Sequence, residues 1–453
     1  MSSALSRDSR PPYRRPLPRT LRWLLPPAVV VGIGFLGILL YLGGLGAPTD
    51  HLREFPVAVV NEDEGAEMPS PGGSPTEVQM GQEVADGIVE EGEENDEVDF
   101  RAMSRDEADD ALSSGDAYGA IVIPSDFSER SVALVSSSLG GDGEGTQPVI
   151  DIVTSPQAGS MTSRLATGVM DPAVEGASSG VGEQLLPAAQ EQIRQLEEAD
   201  RPAPTLTPVA ESVLQDPVVE EQREWEELPS GTALGMAPFY WAIVALVVGL
   251  SGSVAVSTLV DGLLGVTPWE MGPKLDRYRP AGLSRPATFA LKAGLVVLGG
   301  AGAAGVMMLA GAIVDLPMPH GGLLYLTTWL GIAAIGVTTL SMITMLGSAG
   351  MLFAMFYLVF MGLPSAGAVS PQEALPPFFA GLAKWEPLHY LWLCTRDILF
   401  FDAQMDAGMG QGIAGLAVIL VVFTVLALVV GALWDRLTGR RGIVRGSGKH
   451  AAA

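Results

Sequence analysis

Residues 238–260 read PFYWAIVALVVGLSGSVAVSTLV, 23 positions without one Asp, Glu, Lys or Arg. A helix needs about 20 apolar residues to cross the ~30 Å hydrocarbon core of a bilayer, so this stretch reads as a membrane span. Working outward, 287–314, 323–345, 351–369 and 412–434 have the same character downstream, and 23–45 has it far upstream. The 351–369 segment is the shortest. The expectation is a polytopic α-helical membrane protein of about six helices, arranged 1+5.

The chain between the first span and the rest is of the opposite kind. Residues 48–236 carry 40 of the 51 acidic residues and only 8 of the 26 basic ones. Such an acidic surface repels phosphate backbones, which excludes nucleic acid as a partner. Basic residues sit elsewhere: Arg7, Arg10, Arg14, Arg15, Arg19 and Arg22 before the first span, Lys274, Arg277, Arg279 and Arg285 in the loop 261–286, and Arg436, Arg440, Arg441, Arg445 and Lys449 in the tail. With six spans, all three segments fall on the cytoplasmic side and the acidic region falls outside. A retained first helix is the reading of 23–45, because the apolar run is longer than most signal-peptide cores; a cleaved signal peptide is the alternative.

The parts then divide as follows. A basic N-terminus covers 1–22 and the first helix 23–45. An extracytoplasmic α/β and helical domain covers 48–200, and an acidic Pro-rich linker 201–236. A five-helix membrane domain covers 237–435 and a basic tail 436–453. Within the inserted domain, Phe55–Val60 is a buried strand stopped by a polar turn. Val98–Met103, Tyr118–Ile123 and Val149–Val153 are further strands. Glu77–Glu91 is helical, and Ser104 three residues before Glu107 has capping-box spacing. Strands alternating with helices imply an α/β layer structure. From Gly159 to Ala199 the helical pattern is interrupted, for example at Pro172 and Pro187.

Three stretches carry a resemblance: PVAVVNEDEGA (56–66), ADDALSSGDAYGAIVIPSDFSE (108–129) and GTALGMAPFYWAIVALVVG (231–249). In sequence and order they resemble the YhgE/Pip proteins and the wider ABC-2-type permease superfamily. That resemblance implies one N-terminal helix, a large extracytoplasmic domain, a C-terminal helix cluster and a separate ATP-binding cassette subunit. It also implies a half-transporter, hence a homodimer or heterodimer.

Chemistry of the chain's own is hard to find. A Walker motif, G-x-x-x-x-G-K-[ST], has its nearest candidate at Gly446-Ser447-Gly448-Lys449, but His450 follows and Ile443 replaces the first glycine. Gly176-Ala177-Ser178-Ser179-Gly180 fits G-x-S-x-G, yet no strand precedes it, and a flexible interruption between helices is the better reading. The acidic runs lack EF-hand spacing. One cysteine, Cys394, and four scattered histidines make no zinc-like cluster. No cofactor and no catalytic residue is expected. The spans hold almost no ionisable group; the exception, Lys292, is expected to snorkel to the interface. Glycines 294, 299, 300, 302 and 305 suit close helix packing or a dimer seam alike.

Two loops remain as candidate sites. The cytoplasmic loop 261–286 mixes Trp269, Glu270, Lys274, Asp276 and Arg277, and the resemblance would make it a docking surface for an ATPase. The outer segment 375–401 is too charged to span and too apolar to float, which suits a re-entrant or interfacial element. There Trp385, Glu386, His389, Arg396 and Asp397 stand out, with Arg396 expected to pair with Asp397 or Glu386. The functional expectation is a plasma-membrane permease subunit of an ABC-2-type exporter, in contact with membrane lipid and moving a lipidic or amphipathic substrate. The alternative is a membrane scaffold whose outer domain binds envelope or secretion-system partners.

Overall fold

The computed structural model describes residues 25–45, 48–68, 76–94, 96–140, 145–198, 203–271, 273–276 and 278–439. The first helix, α1 (Leu25–Leu45), leads into β1 (Phe55–Asn61), whose FPVAVV run is buried at every position. After a small hairpin, β2 (Ala66–Met68) with β3 (Thr76–Val78), come α2 (Met80–Glu94), β4 (Val98–Met103), α3 (Arg105–Ser114), β5 (Gly119–Ile123), α4 (Phe127–Ser138) and β6 (Val149–Thr154). The capping box forms at the start of α3: the Ser104 hydroxyl accepts from the Glu107 N–H, and the Glu107 carboxylate accepts from the Ser104 N–H.

Two regions before the bundle depart from the sequence expectation. The 159–199 region is one helix, α5 (Ser160–Glu198), running through Pro172 and Pro187. A buried stripe along it (Leu165, Met170, Val174, Val181, Leu185) packs on the sheet and α2, so tertiary burial outweighs the bonds the prolines forfeit. Gly176–Gly180 is therefore helix interior, not an interruption. The expected linker 201–236 is likewise structured over much of its length. It holds α6 (Pro208–Gln215), capped by Thr207, and β7 (Val219–Glu224). All six β7 residues are exposed, so what fixes this edge strand is backbone pairing to β6, not an apolar pattern.

The five-stranded sheet has the order β4-β1-β5-β6-β7, with β5 and β6 antiparallel and the other neighbours parallel. Phe55, Val57 and Val59 face a core with α2, α4 and α5, while Ala58 and Val60 face Ala108 and Leu112 of α3. The result is a helix–sheet–helix sandwich.

The chain then enters the bundle through α7 (Ala237–Leu263), a hairpin of β8 (Trp269–Met271) and β9 (Lys274–Asp276), α8 (Arg285–Ile313) and α9 (Gly321–Leu346). It continues with α10 (Ala349–Met355), a π-helical turn at Phe356–Met361, α11 (Gly362–Ser365), the short helices α12 (Pro377–Ala383) and α13 (Pro387–Phe400), a second π turn at Met405–Met409, and α14 (Gly410–Thr438). Among the described residues five helices are long and apolar enough to cross a membrane: Pro27–Leu45, Ala237–Leu263, Arg285–Ile313, Gly321–Leu346 and Met405–Thr438. The expected span at 351–369 is instead the broken helix Ala349–Ser365, which at 1.5 Å per residue reaches about 25 Å. It still returns the chain to the sheet-side end, where Pro364 meets Gly44 of α1.

Helix α9 is the axis of the bundle. Every residue from Gly331 to Ser341 is buried, against α7, α8, α13 and α14. Of the glycines on α8, Gly300 packs on Ile332 and Trp329, whereas Gly294, Gly299 and Gly302 face open space. Lys292 does not snorkel. It is buried, 2.7 Å from the Asp261 carboxylate and 2.9 Å from the Ser257 hydroxyl on α7. An ammonium that far from water needs a counter-ion, and Asp261, one residue past the expected end of its span, supplies it.

Candidate functional site

The sheet domain meets the bundle at α13, at the turn Gln372–Ala374 before α12 and at the second π turn. Glu386 starts α13: its side chain accepts the Leu388 N–H at 2.7 Å, and Pro387 takes the first helical position, where a missing N–H costs nothing. Every residue from Pro387 to Leu399 is buried, although the stretch includes His389, Arg396 and Asp397. Elements on all sides account for this, with α7, α9 and α14 below and the second π turn alongside.

Each buried polar group is held specifically. Arg396 Nε donates to Asp397 Oδ1 at 3.2 Å, and Nη2 donates to the Ala407 carbonyl at 2.8 Å. Its guanidinium lies between the rings of Trp392 and Phe401, 5.1 and 4.9 Å from their centroids. His389 Nδ1 lies 2.8 Å from the Ala366 carbonyl oxygen and so carries the proton, leaving Nε2 to accept from Gln372 Nε2 at 2.9 Å. Arg396 thus pairs with Asp397 and not with Glu386, whose role is that of a helix cap. Trp385 is exposed at the turn between the two helices.

A cavity of about 200 Å³ opens between α13 and the sheet domain. Asp116 and Tyr118 line it from the domain, Glu373 from the turn before α12, Arg396 from α13, Asp406 from the second π turn and Gln411 from α14. Gly115, in the left-handed region at φ +78°, ends α3 and lets the domain approach Arg396. Tyr118 donates its hydroxyl to Glu373 Oε2 at 3.3 Å, and Arg53 donates to the Leu375 carbonyl at 3.0 Å. Burial pushes the Glu373 carboxyl up, opposed by a backbone hydrogen bond, the Tyr118 hydroxyl and Arg396. The Tyr118 phenol is raised in turn by burial and then by the Glu373 charge. What the arrangement offers is a mixed-charge contact that joins the domain to α13 and α14.

An acid with a raised folded-state pKa binds its proton more tightly folded than unfolded. Stability from that group is therefore full below the ordinary carboxylate range and falls as pH rises through the raised value. Glu373→Gln, permanently neutral, is expected to remove this slope. The unfolding temperature of the wild type should fall relative to the variant as pH rises above the ordinary carboxylate range; parallel profiles would contradict the assignment.

The second predicted group lies at the opposite end of the bundle, about 40 Å away along the 27 residues of α7. Trp269 and Asp276 pair across the β8–β9 hairpin, and the Trp269 ring packs on Gly262 at the end of α7. Lys274 and Asp276 are exposed. Glu270 sits opposite Leu275 in the register; its side chain lies outside the described residues, as does Arg277. Nearby, Arg285 binds Asp435 at 2.6 Å, tying α8 to α14. The two groups are not brought together.

Sequence reasoning missed Tyr118, Glu373, Asp116 and the Lys292–Asp261 pair. Glu373 had one signal, as the only acid between 316 and 385.

A comparison with solved structures finds a crystal structure of a domain of a candidate ABC type-2 transporter from Thermotoga maritima MSB8. It is 18% identical, covers 38% of this chain and 85% of that chain, and has a TM-score of 0.22. None of the curated proteins compared matches. The family described as ABC-2 family transporter protein matches residues 23–429, a span that takes in α1, the sheet domain and nearly all of the bundle. The chain belongs to the ABC-2 family of transporter proteins.

Proposed function

We propose that the chain is the permease subunit of an ABC-2-type exporter in the plasma membrane, driven by a separate ATP-binding subunit and working as half of a homodimer or heterodimer. The sheet domain lies outside, and both termini and the β8–β9 hairpin lie in the cytoplasm. Within the family, the motifs at 56–66, 108–129 and 231–249 favour a YhgE/Pip-like member. The single observation that carries the reading is the polarity of the bundle. Its hairpin end collects Lys274, Arg279, Arg285 and Arg436, while its other end carries the acidic domain. Lysine and arginine mark cytoplasmic loops.

In this reading the hairpin receives the ATPase, and the Lys292–Asp261 and Arg285–Asp435 pairs make α7, α8 and α14 respond together. At the other end, α13 and the cavity beneath the sheet domain couple that movement to the outside. Changing Trp269, Lys274 and Asp276 together is expected to abolish co-purification of the ATP-binding subunit while the chain remains in the membrane. Undiminished co-purification would remove the hairpin from the docking role.

A further inference from the structure

A groove of about 300 Å³ runs down one face of α14 beside the α12–α13 turn. Its floor follows helical spacing, through Gln411, Gly415, Val418 and Val422. Tyr390 forms part of the wall: a Cβ at position 415 would lie 2.4 Å from its ring, so the glycine is what lets that ring lie against α14. From Gln411 to Phe423 the groove extends about 18 Å at 1.5 Å per residue. That is close to half of the ~30 Å hydrocarbon core, or one leaflet.

The rim is of different chemistry. Lys384 and Trp385 stand at the mouth, both exposed. Tyrosine hydroxyls pin the backbone on which they sit: Tyr390 donates to the Lys384 carbonyl at 2.8 Å, and Tyr357 donates to the Trp385 carbonyl. The Lys384 ammonium has no ion-pair partner among the described residues. It also borders a wider cleft of about 710 Å³ beneath the sheet domain, which Arg53, Glu54 and Asp96 line as well. A Trp at the rim with an unpaired Lys beside it is the pairing expected where headgroups meet hydrocarbon.

We infer that this groove is a phospholipid site, with one acyl chain lying along α14 and the phosphate at Lys384. Three observations favour this occupant over a helix of another chain: the one-leaflet depth, the unpaired cation at the mouth, and the mixed-charge cleft where the rest of a headgroup would lie. The inference rests on the chain's being a membrane protein and not on its having an ATPase, so the two can fail separately.

The test reconstitutes the full chain in vesicles of phosphatidylethanolamine and phosphatidylglycerol, doped with phosphatidylethanolamine carrying a photoreactive group in its acyl chain. Labelled peptides are mapped by mass spectrometry. Labelling is expected to concentrate on 411–423, to be lost in Val418→Trp, and to persist in Leu298→Trp. Both substituted positions are exposed on spans, so neither disturbs the core. Lys384→Glu is expected to lower phospholipid retained after detergent extraction about fivefold, the effect of one basic residue at a phosphate surface. Labelling spread evenly over all exposed helices, or unchanged in Val418→Trp, would overturn the site. Cross-linking of this face to a second copy of the chain would overturn it too, in favour of an interface.

Discussion

Arg396→Met is expected to destabilise the folded chain by about 3–5 kcal/mol, the cost of breaking a buried ion pair from one side. Asp397 is fully buried, and the guanidinium is its counter-ion at 3.2 Å. Methionine fills much of the same volume, so the loss is one of charge and hydrogen bonding. The Ala407 carbonyl loses its donor as well, and with it goes the bond holding the turn before α14 to α13. Arg396→Lys should fall between, because an ammonium keeps the charge but not the fork or the stacking on Trp392 and Phe401. The control is Arg396→Met with Asp397→Asn, which removes both charges and is expected to recover much of the loss. Thermal unfolding in detergent, followed by tryptophan fluorescence, reads all four proteins. If the double variant unfolds no later than Arg396→Met, the stranded carboxylate is not the cause.

Gly412→Ala is expected to cost roughly 1–3 kcal/mol through overpacking, more than a lipid-facing Gly→Ala change on α14 would. A Cβ at 412 would lie 2.5 Å from Cys394 Sγ and 2.8 Å from the Tyr390 carbonyl oxygen. The sulfur can move, but the carbonyl belongs to the backbone of α13 and can move only with that helix. Cys394→Ala in the same chain should therefore return part of the loss and not all of it. The same unfolding measurement separates the two contributions; a Gly412→Ala protein as stable as wild type would show that α13 does not sit this close to α14.

How far the sequence could be read follows from what kind of force holds each part. The long spans are legible because hydrophobic length is a local property, as at 238–260. Buried strands such as 55–60 and the Ser104–Glu107 capping box are local too. The β7 strand is not: VEEQRE has no apolar alternation, and its place at the sheet edge comes from hydrogen bonds to β6. The continuity of α5 was hidden by two prolines, whose penalty is met by contacts made elsewhere in the chain. In the candidate site, the Arg396–Asp397 pair was legible from adjacency. Tyr118 and Glu373, 255 residues apart, meet only because the sheet domain folds back on the bundle. Lys292 was misread because a lone charge in a span suggests snorkelling, whereas α7 and α8 pack with Asp261 in reach.

A permease driven by another chain's ATP hydrolysis keeps an ATP-binding subunit beside it in the membrane. Mild cross-linking in native membranes, affinity purification of the tagged protein and identification of what accompanies it should therefore recover a stoichiometric ATP-binding subunit. Recovery of the chain with only itself or envelope-facing proteins, and no ATP-binding subunit in any preparation, would contradict the permease reading.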